Sequence, residues 1–204
     1  MNVYDFDNTI YDGESGFDLF MFYLKKDPKE IAKIIPRFGE AFIRYKRGVI
    51  KADEVIDQYG DMLTDYCVKI KDIHKDIVEF WDEHEKKIKS FYAKIQAPDD
   101  VIVSASPELL LEEICKRIGI KNYIGSIVDV KNGVIERVCY KENKIRAYKD
   151  VYGDTPIENF YTDSMSDKPM MDLAKNAYLV SGDHIELVKS DGVWLGEPKT
   201  GLFK

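Results

Sequence analysis

Three short apolar runs in this chain each end in residues able to do chemistry, and that pattern constrains the fold more than any other feature. Val3-Tyr4 leads into Asp5-Phe6-Asp7, Val101-Ile102-Val103 into Ser104-Ala105-Ser106, and Asn159-Phe160-Tyr161-Thr162 into Asp163. Runs this short, bounded by turn residues, read as buried strands. After the second run, Leu110, Leu111, Ile114, Cys115 and Ile118 trace one face of a helix that Gly119 can close, with Pro107 in its first turn and Ser106 suited to cap it. A strand over Ile124–Val130, a helix over Lys144–Tyr152 ending at Gly153, a helix around 167–175 and a strand over Ala177–Val180 follow. Lys131-Asn132-Gly133-Val134 signals a hairpin, since Asn-Gly suits a type I′ turn. Residues 183–204 hold short pieces and several turn residues. Strands that alternate with helices require crossover connections, and so a mainly parallel sheet.

The stretch between the first two runs is different. Phe17, Phe20, Met21 and Leu24 fall at i, i+3, i+4, i+7. Asp27-Pro28 starts another helix, whose stripe is Ile31, Ile34, Ile35, Phe38 and Phe42, with a kink or break expected at Pro36. Further helices are expected over about 52–64 and about 70–90, the latter with Ile73, Ile77, Phe80, Trp81, His84 and Ile88 on one side. An all-helical block of this length exceeds one crossover. The expected fold class is therefore α/β: a Rossmann-like three-layer core with a mainly parallel sheet, at 1–14 and 91–204, plus an inserted all-helical cap at 15–90.

Charge narrows the partners. A net charge of −7 over 204 residues repels phosphate backbones and anionic membranes, so neither nucleic acid nor a membrane is expected. A small phosphorylated substrate is still allowed, because a local pocket can be positive on an acidic protein. Cys67, Cys115 and Cys139 are too far apart for a zinc or redox motif and read as reduced thiols. His74, His84 and His184 share no metal-binding spacing. The first residues lack the basic and apolar regions of a signal peptide, and no run is long enough to span a bilayer. A cytoplasmic protein is the expectation.

In open parallel sheets, ligands bind beyond the carboxyl ends of the strands. Asp5 and Asp7 sit at one such end and Asp163 at another, with Asp167 four residues on. Carboxylates brought together repel unless a cation lies among them. Hard oxygen ligands, few in number, suit Mg²⁺ better than zinc. A carboxylate beside a neutralised phosphate can attack phosphorus, and a second can protonate the leaving oxygen. Ser104 and nearby backbone N–H groups can bind phosphate oxygens, and a lysine would complete the neutralisation.

These residues resemble the motifs of the haloacid dehalogenase superfamily of phosphohydrolases, and especially of its phosphoserine-phosphatase-like branch. The likeness covers nearly the whole chain. Asp5-Phe6-Asp7-Asn8-Thr9 looks like the first motif, D-x-D-x-T, with Asn8 in place of a commoner small residue. Val101-Ile102-Val103-Ser104-Ala105-Ser106 looks like the second, and Lys144 is the best match to the family's lysine, with Lys141, Lys149 and Lys168 near enough to substitute. Asp163-Ser164-Met165-Ser166-Asp167-Lys168-Pro169-Met170 looks like the fourth.

The resemblance implies roles. Asp5 would be nucleophile and metal ligand. Asp7 would be general acid/base, with its backbone carbonyl on the metal. Asp163 would be a further ligand, and Asp167 a ligand directly or through water. Ser104, Ala105 and Lys144 would hold the phosphoryl group. Glu14, nine residues after Asp5, matches the place of a substrate-contacting glutamate in phosphoserine phosphatases. Arg44-Tyr45-Lys46-Arg47 does not match the arginine-bearing cap segment of those enzymes. The expected function is Mg²⁺-dependent hydrolysis of a small phosphate monoester through an aspartyl-phosphate on Asp5. The alternatives are a phosphotransferase or other hydrolase of the superfamily, or a catalytically weak phosphate-binding protein. Asp7 argues against dehalogenation, which needs neither metal nor that acid.

Overall fold

The computed structural model describes residues 1–46 and 65–196. Its strands are β1 (Asn2–Tyr4), β2 (Val101–Pro107), β3 (Asn122–Asp129), β4 (Val134–Arg137), β5 (Ile157–Thr162), β6 (Ala174–Ser181), β7 (His184–Ser190) and β8 (Val193–Trp194). They form one sheet in the order β4-β3-β2-β1-β5-β6-β7-β8. The five strands from β3 to β6 in that order are parallel, with Val3 of β1 opposite both Val101 of β2 and Phe160 of β5. Antiparallel β4, β7 and β8 extend the two edges. From β1 the chain proceeds to β2 and β3 on one side and returns to β5 and β6 on the other. The carboxyl end of β1 is thus the topological switch point, where ligands bind in such sheets.

Side-chain alternation explains the layers. Tyr4 and Ile102 point into a core shared with Phe80, Trp81, Tyr92, Leu110 and Ile114, whereas Val3, Val101 and Val103 point into one shared with Ala147, Tyr148, Phe160 and Met170. The first core lies under α3 (Ile73–His84), α4 (Ser90–Ile95) and α5 (Glu108–Ile118), the second under α6 (Glu142–Tyr152) and α7 (Lys168–Leu173). This is a Rossmann-like three-layer arrangement with a mainly parallel sheet. The described chain between β1 and β2 is helical, beginning with α1 (Ser15–Lys26) and α2 (Pro28–Lys46). The helix expected over about 52–64 lies outside the described residues, as do the side chains of Ile34, Ile35, Phe38 and Phe42.

Several boundaries differ from the sequence expectation for identifiable reasons. No break occurs at Pro36: α2 runs through it. Pro36 and Ala32 are both exposed, so solvent can satisfy the carbonyl that the proline leaves unpaired. The helix expected from about 70 starts at Ile73 because the Asp72 side chain accepts from the Lys75 N–H at 3.0 Å, an N-cap. It ends at His84, and a single 3-10 turn, Glu85–Lys87, follows. The helix expected to reach 175 stops at Leu173. There the buried Lys189 ammonium donates to the carbonyls of Met171, Asp172 and Ala174 at 3.1, 2.9 and 2.7 Å and closes the helix end. The β3–β4 turn is not type I′, which needs positive φ at two central residues; only Gly133 has it, at 66°. The Asp129 carboxylate organises the turn instead, accepting from the Lys131 and Asn132 N–H groups.

Helix α3 is fixed to the core layer. Trp81 Nε1 donates to the Leu110 carbonyl at 2.9 Å, and Arg117 of α5 reaches Asp82 at 2.9 Å and Glu85 at 3.2 Å.

Candidate active site

The site is built where β1 ends. The Asp5 N–H still donates to the Tyr161 carbonyl of β5, at 2.8 Å, so the backbone of Asp5 belongs to the sheet. The chain then leaves the sheet in a tight turn, in which the Phe6 carbonyl accepts from the N–H groups of Thr9, Ile10 and Tyr11. Asn8 takes φ of +56°, a left-handed conformation that Asn tolerates better than most residues. The Lys89 ammonium donates to the Asn8 carbonyl and pins this turn from the linker after α3.

Asp5 faces a buried cation. Lys144 Nζ lies 2.7 Å from Asp5 Oδ1 and 2.7 Å from Asp167 Oδ2. The Thr9 hydroxyl donates to Asp5 Oδ2 at 3.2 Å, and the Thr162 hydroxyl to Asp167 Oδ2 at 3.0 Å. Lys144 is 3% exposed, Asp167 3% and Asp5 7%, so this pairing is shielded from water. Lys144 comes from the first turn of α6, which lifts it over the ends of β1 and β5. The other candidate lysines are engaged elsewhere: Lys149 with Asp154, Lys168 with Asp172, and Lys141 over the Tyr140 ring.

Several carboxyl groups crowd around one ammonium. Burial pushes the Asp5 carboxyl up to about 8; Lys144 pulls it down, while Asp167 and Asp163 push it further up. Burial also raises Asp163, to about 7, with Asp167 and then Glu14 adding to the effect. Burial alone would lower Lys144, but Asp5 and Asp167 outweigh it and hold the ammonium charged. One ammonium therefore stands against the carboxylates of Asp5, Asp163 and Asp167.

Asp7 turns the other way. Its Oδ1 accepts from the Ser15 N–H at 2.7 Å and its Oδ2 from the Ser106 hydroxyl at 2.6 Å. Burial raises its carboxyl, and these bonds from Ser106 and Ser15 oppose the rise. Ser104 is buried within β2, which runs on to Pro107 with a register shift against β3 after Val103, and its Oγ accepts from the Ser106 N–H at 3.0 Å. Ala105, next in the strand, is exposed. Glu14 immediately precedes α1; its Oε1 accepts from Asn8 Nδ2 at 3.2 Å.

The structure thus gathers Asp5, Asp163, Asp167 and Lys144 into one charged cluster, with Asp7, Ser104 and Glu14 around it. The Ser106 hydroxyl does not cap α5: the N-cap position is Pro107, with no side-chain cap bond, and Ser106 is spent on Asp7. Ser15 and Ser106 are site residues that sequence reasoning missed. Their only signal was a hydroxyl beside a motif, which is common.

The donor chemistry can be compared with a divalent cation. Among the described residues, no group of three or more His, Cys, Asp or Glu side chains is arranged to hold a metal as it stands. Lys144 lies between Asp5 and Asp167, and the Asp7 oxygens are turned to the serines. The set nevertheless fits Mg²⁺ in kind. Its donors are hard oxygens, and crowded buried carboxyls whose protons are held above the usual carboxylate range are groups that a divalent ion would ionise and neutralise.

The fold and site together define an α/β protein with a buried carboxylate–lysine cluster at the switch point of its sheet. The chain belongs to the haloacid dehalogenase-like hydrolase family, whose profile matches residues 3–172. No curated protein matches it. A protein of unknown function from Bordetella pertussis Tohama I has a similar structure, with 17% identity and a TM-score of 0.66 over 84% of this chain and 85% of that one. A phosphoserine phosphohydrolase-like protein from Francisella tularensis is similar at 16% identity and a TM-score of 0.54, over 87% and 86%. At these identities the likeness is one of fold. Among the described residues, no helix is long and apolar enough to cross a membrane.

Proposed function

We propose that this hydrolase is a Mg²⁺-dependent phosphatase of small phosphate monoesters, with Asp5 as nucleophile and Asp7 as general acid/base. The observation that carries the reading is the Lys144 bridge, which holds Asp5 and Asp167 together at the switch point. An Asp5 carboxylate oxygen attacks phosphorus while the bond to the ester oxygen breaks, and Asp7 gives that oxygen its proton. Asp7, now a carboxylate, then takes a proton from water. The water oxygen attacks the phosphorus of the aspartyl-phosphate, the bond to Asp5 breaks, and phosphate leaves. Lys144, Ser104 and the backbone at Ala105 hold phosphoryl oxygens through both steps. Asp5, Asp163, Asp167 and the Asp7 carbonyl would hold Mg²⁺, which supplies charge neutralisation for the phosphoryl group.

Residues 15–90 form the cap in this reading, and Glu14 stands at its entrance. Its negative charge already reaches Asp163, and it favours a substrate bearing an amine, such as a phosphorylated amino acid or amino alcohol. The phosphoserine phosphohydrolase-like description of the Francisella protein agrees with that class. The enzyme acts in the cytoplasm, on a small molecule rather than on nucleic acid or a membrane. A panel of phosphorylated amino acids, amino alcohols, sugars and nucleotides, assayed with Mg²⁺ and with EDTA, tests it. Activity that needs Mg²⁺ and ranks amines first is expected, with the ranking lost in Glu14→Ala. Full turnover in EDTA contradicts the mechanism, and an unchanged ranking removes Glu14 from the substrate site.

A further inference from the structure

Both oxygens of Asp7 are held by side chains and backbone that the reaction itself does not consume. Ser106 Oγ lies 2.6 Å from Oδ2 and the Ser15 nitrogen 2.7 Å from Oδ1. The two serine hydroxyls lie 2.8 Å apart, and both serines are buried. A hydroxyl has one proton to give. If Ser106 gives its proton to the carboxylate, Ser15 must donate to Ser106. The chain of bonds then runs Ser15 to Ser106 to Asp7, and the Ser15 N–H closes it on the other oxygen. Rotating the Asp7 carboxyl breaks both bonds at once.

The backbone of Ser106 is fixed as well. Its N–H is bound to Ser104 Oγ, and Gly125 of β3 approaches so closely that a Cβ there would lie 2.5 Å from the Ser106 carbonyl oxygen. Ser106 could have capped α5 and does not. Ser15 opens α1, so one bond to Asp7 comes from the core strand β2 and the other from the first helix of the insert.

We infer that Ser106, backed by Ser15, is a positioning residue that aims the Asp7 carboxyl at the leaving oxygen; this rests on the phosphatase reading above. An aimed acid matters most when the leaving group is poor, because a good leaving group departs without a proton. A merely structural serine would slow all esters alike.

The test compares kcat/KM for phenyl phosphate and p-nitrophenyl phosphate, in Mg²⁺, for the full chain. Ser106→Ala should lose at least about tenfold more on phenyl phosphate than on p-nitrophenyl phosphate. Ser106→Thr, which keeps the hydroxyl, should recover much of that ratio. Ser15→Ala removes the supporting hydroxyl but keeps the N–H, and should move the ratio the same way by less. An unchanged ratio in both alanine variants, with wild-type enzyme active on both esters, overturns the positioning role and leaves the phosphatase reading intact. Wild-type enzyme inactive on both esters overturns the phosphatase reading and this inference with it.

Discussion

Lys144 is the residue on which the charge balance of the site turns. It is almost fully buried and compensates two carboxylates, Asp5 and Asp167, at 2.7 Å each. Removing one member of a buried ionic cluster leaves uncompensated charge, which costs about 3–5 kcal/mol. Lys144→Met should therefore lower the unfolding free energy by about that amount in EDTA, read by urea denaturation. Asp5→Asn in the same chain should restore part of the loss, because it removes one of the stranded charges; strict additivity of the two changes would contradict the shared cluster. Sequence reasoning reached Lys144 only as the best of four nearby lysines. A lysine's burial depends on where its helix is laid, and here α6 carries Lys144 over β1 and β5 while Lys149 and Lys168 meet surface acids. Asp5, Asp7, Asp163 and Asp167 were legible because their spacing is local. Ser15 and Ser106 were not: they lie 91 residues apart, and only the fold brings their hydroxyls together.

At the level of elements, β3 comes close to β2 beside the site, at Gly125. Gly125 lies against the end of β2, where an added Cβ would meet the Ser106 carbonyl at 2.5 Å and Leu111 Cδ1 at 2.9 Å. Backbone cannot yield as a flexible side-chain tip can. Gly125→Ala should cost about 1–3 kcal/mol of stability and reduce phosphatase turnover by shifting Ser106, both measurable on the same preparation. Loss of stability with turnover unchanged would separate Ser106 from catalysis. The parallel strands were legible from apolar runs that end in polar residues, and the start of α2 from Asp27-Pro28. The ends of α3 and α7 were not, since an Asp72 cap and a Lys189 clamp set them. Nor was the β3–β4 turn: Asn-Gly suits type I′, but the Asp129 carboxylate captures the turn N–H groups first.

For the whole molecule, strand order converts separated motifs into one site. The ends of β1, β2 and β5 lie side by side because β1 is flanked by the other two. Alternation along the chain implied a mainly parallel sheet, which is present, and the described residues between β1 and β2 are largely helical. It did not say that 183–196 would add two antiparallel strands, because their edge pairing depends on β6 as a template. The proposed reaction depends above all on Asp5 as the nucleophile. It is tested most directly by p-nitrophenyl phosphate turnover of Asp5→Asn beside wild type, in Mg²⁺, with circular dichroism to verify the fold. A folded protein whose turnover has fallen by at least about a thousandfold is expected. A folded Asp5→Asn protein that keeps a turnover comparable to wild type would contradict it.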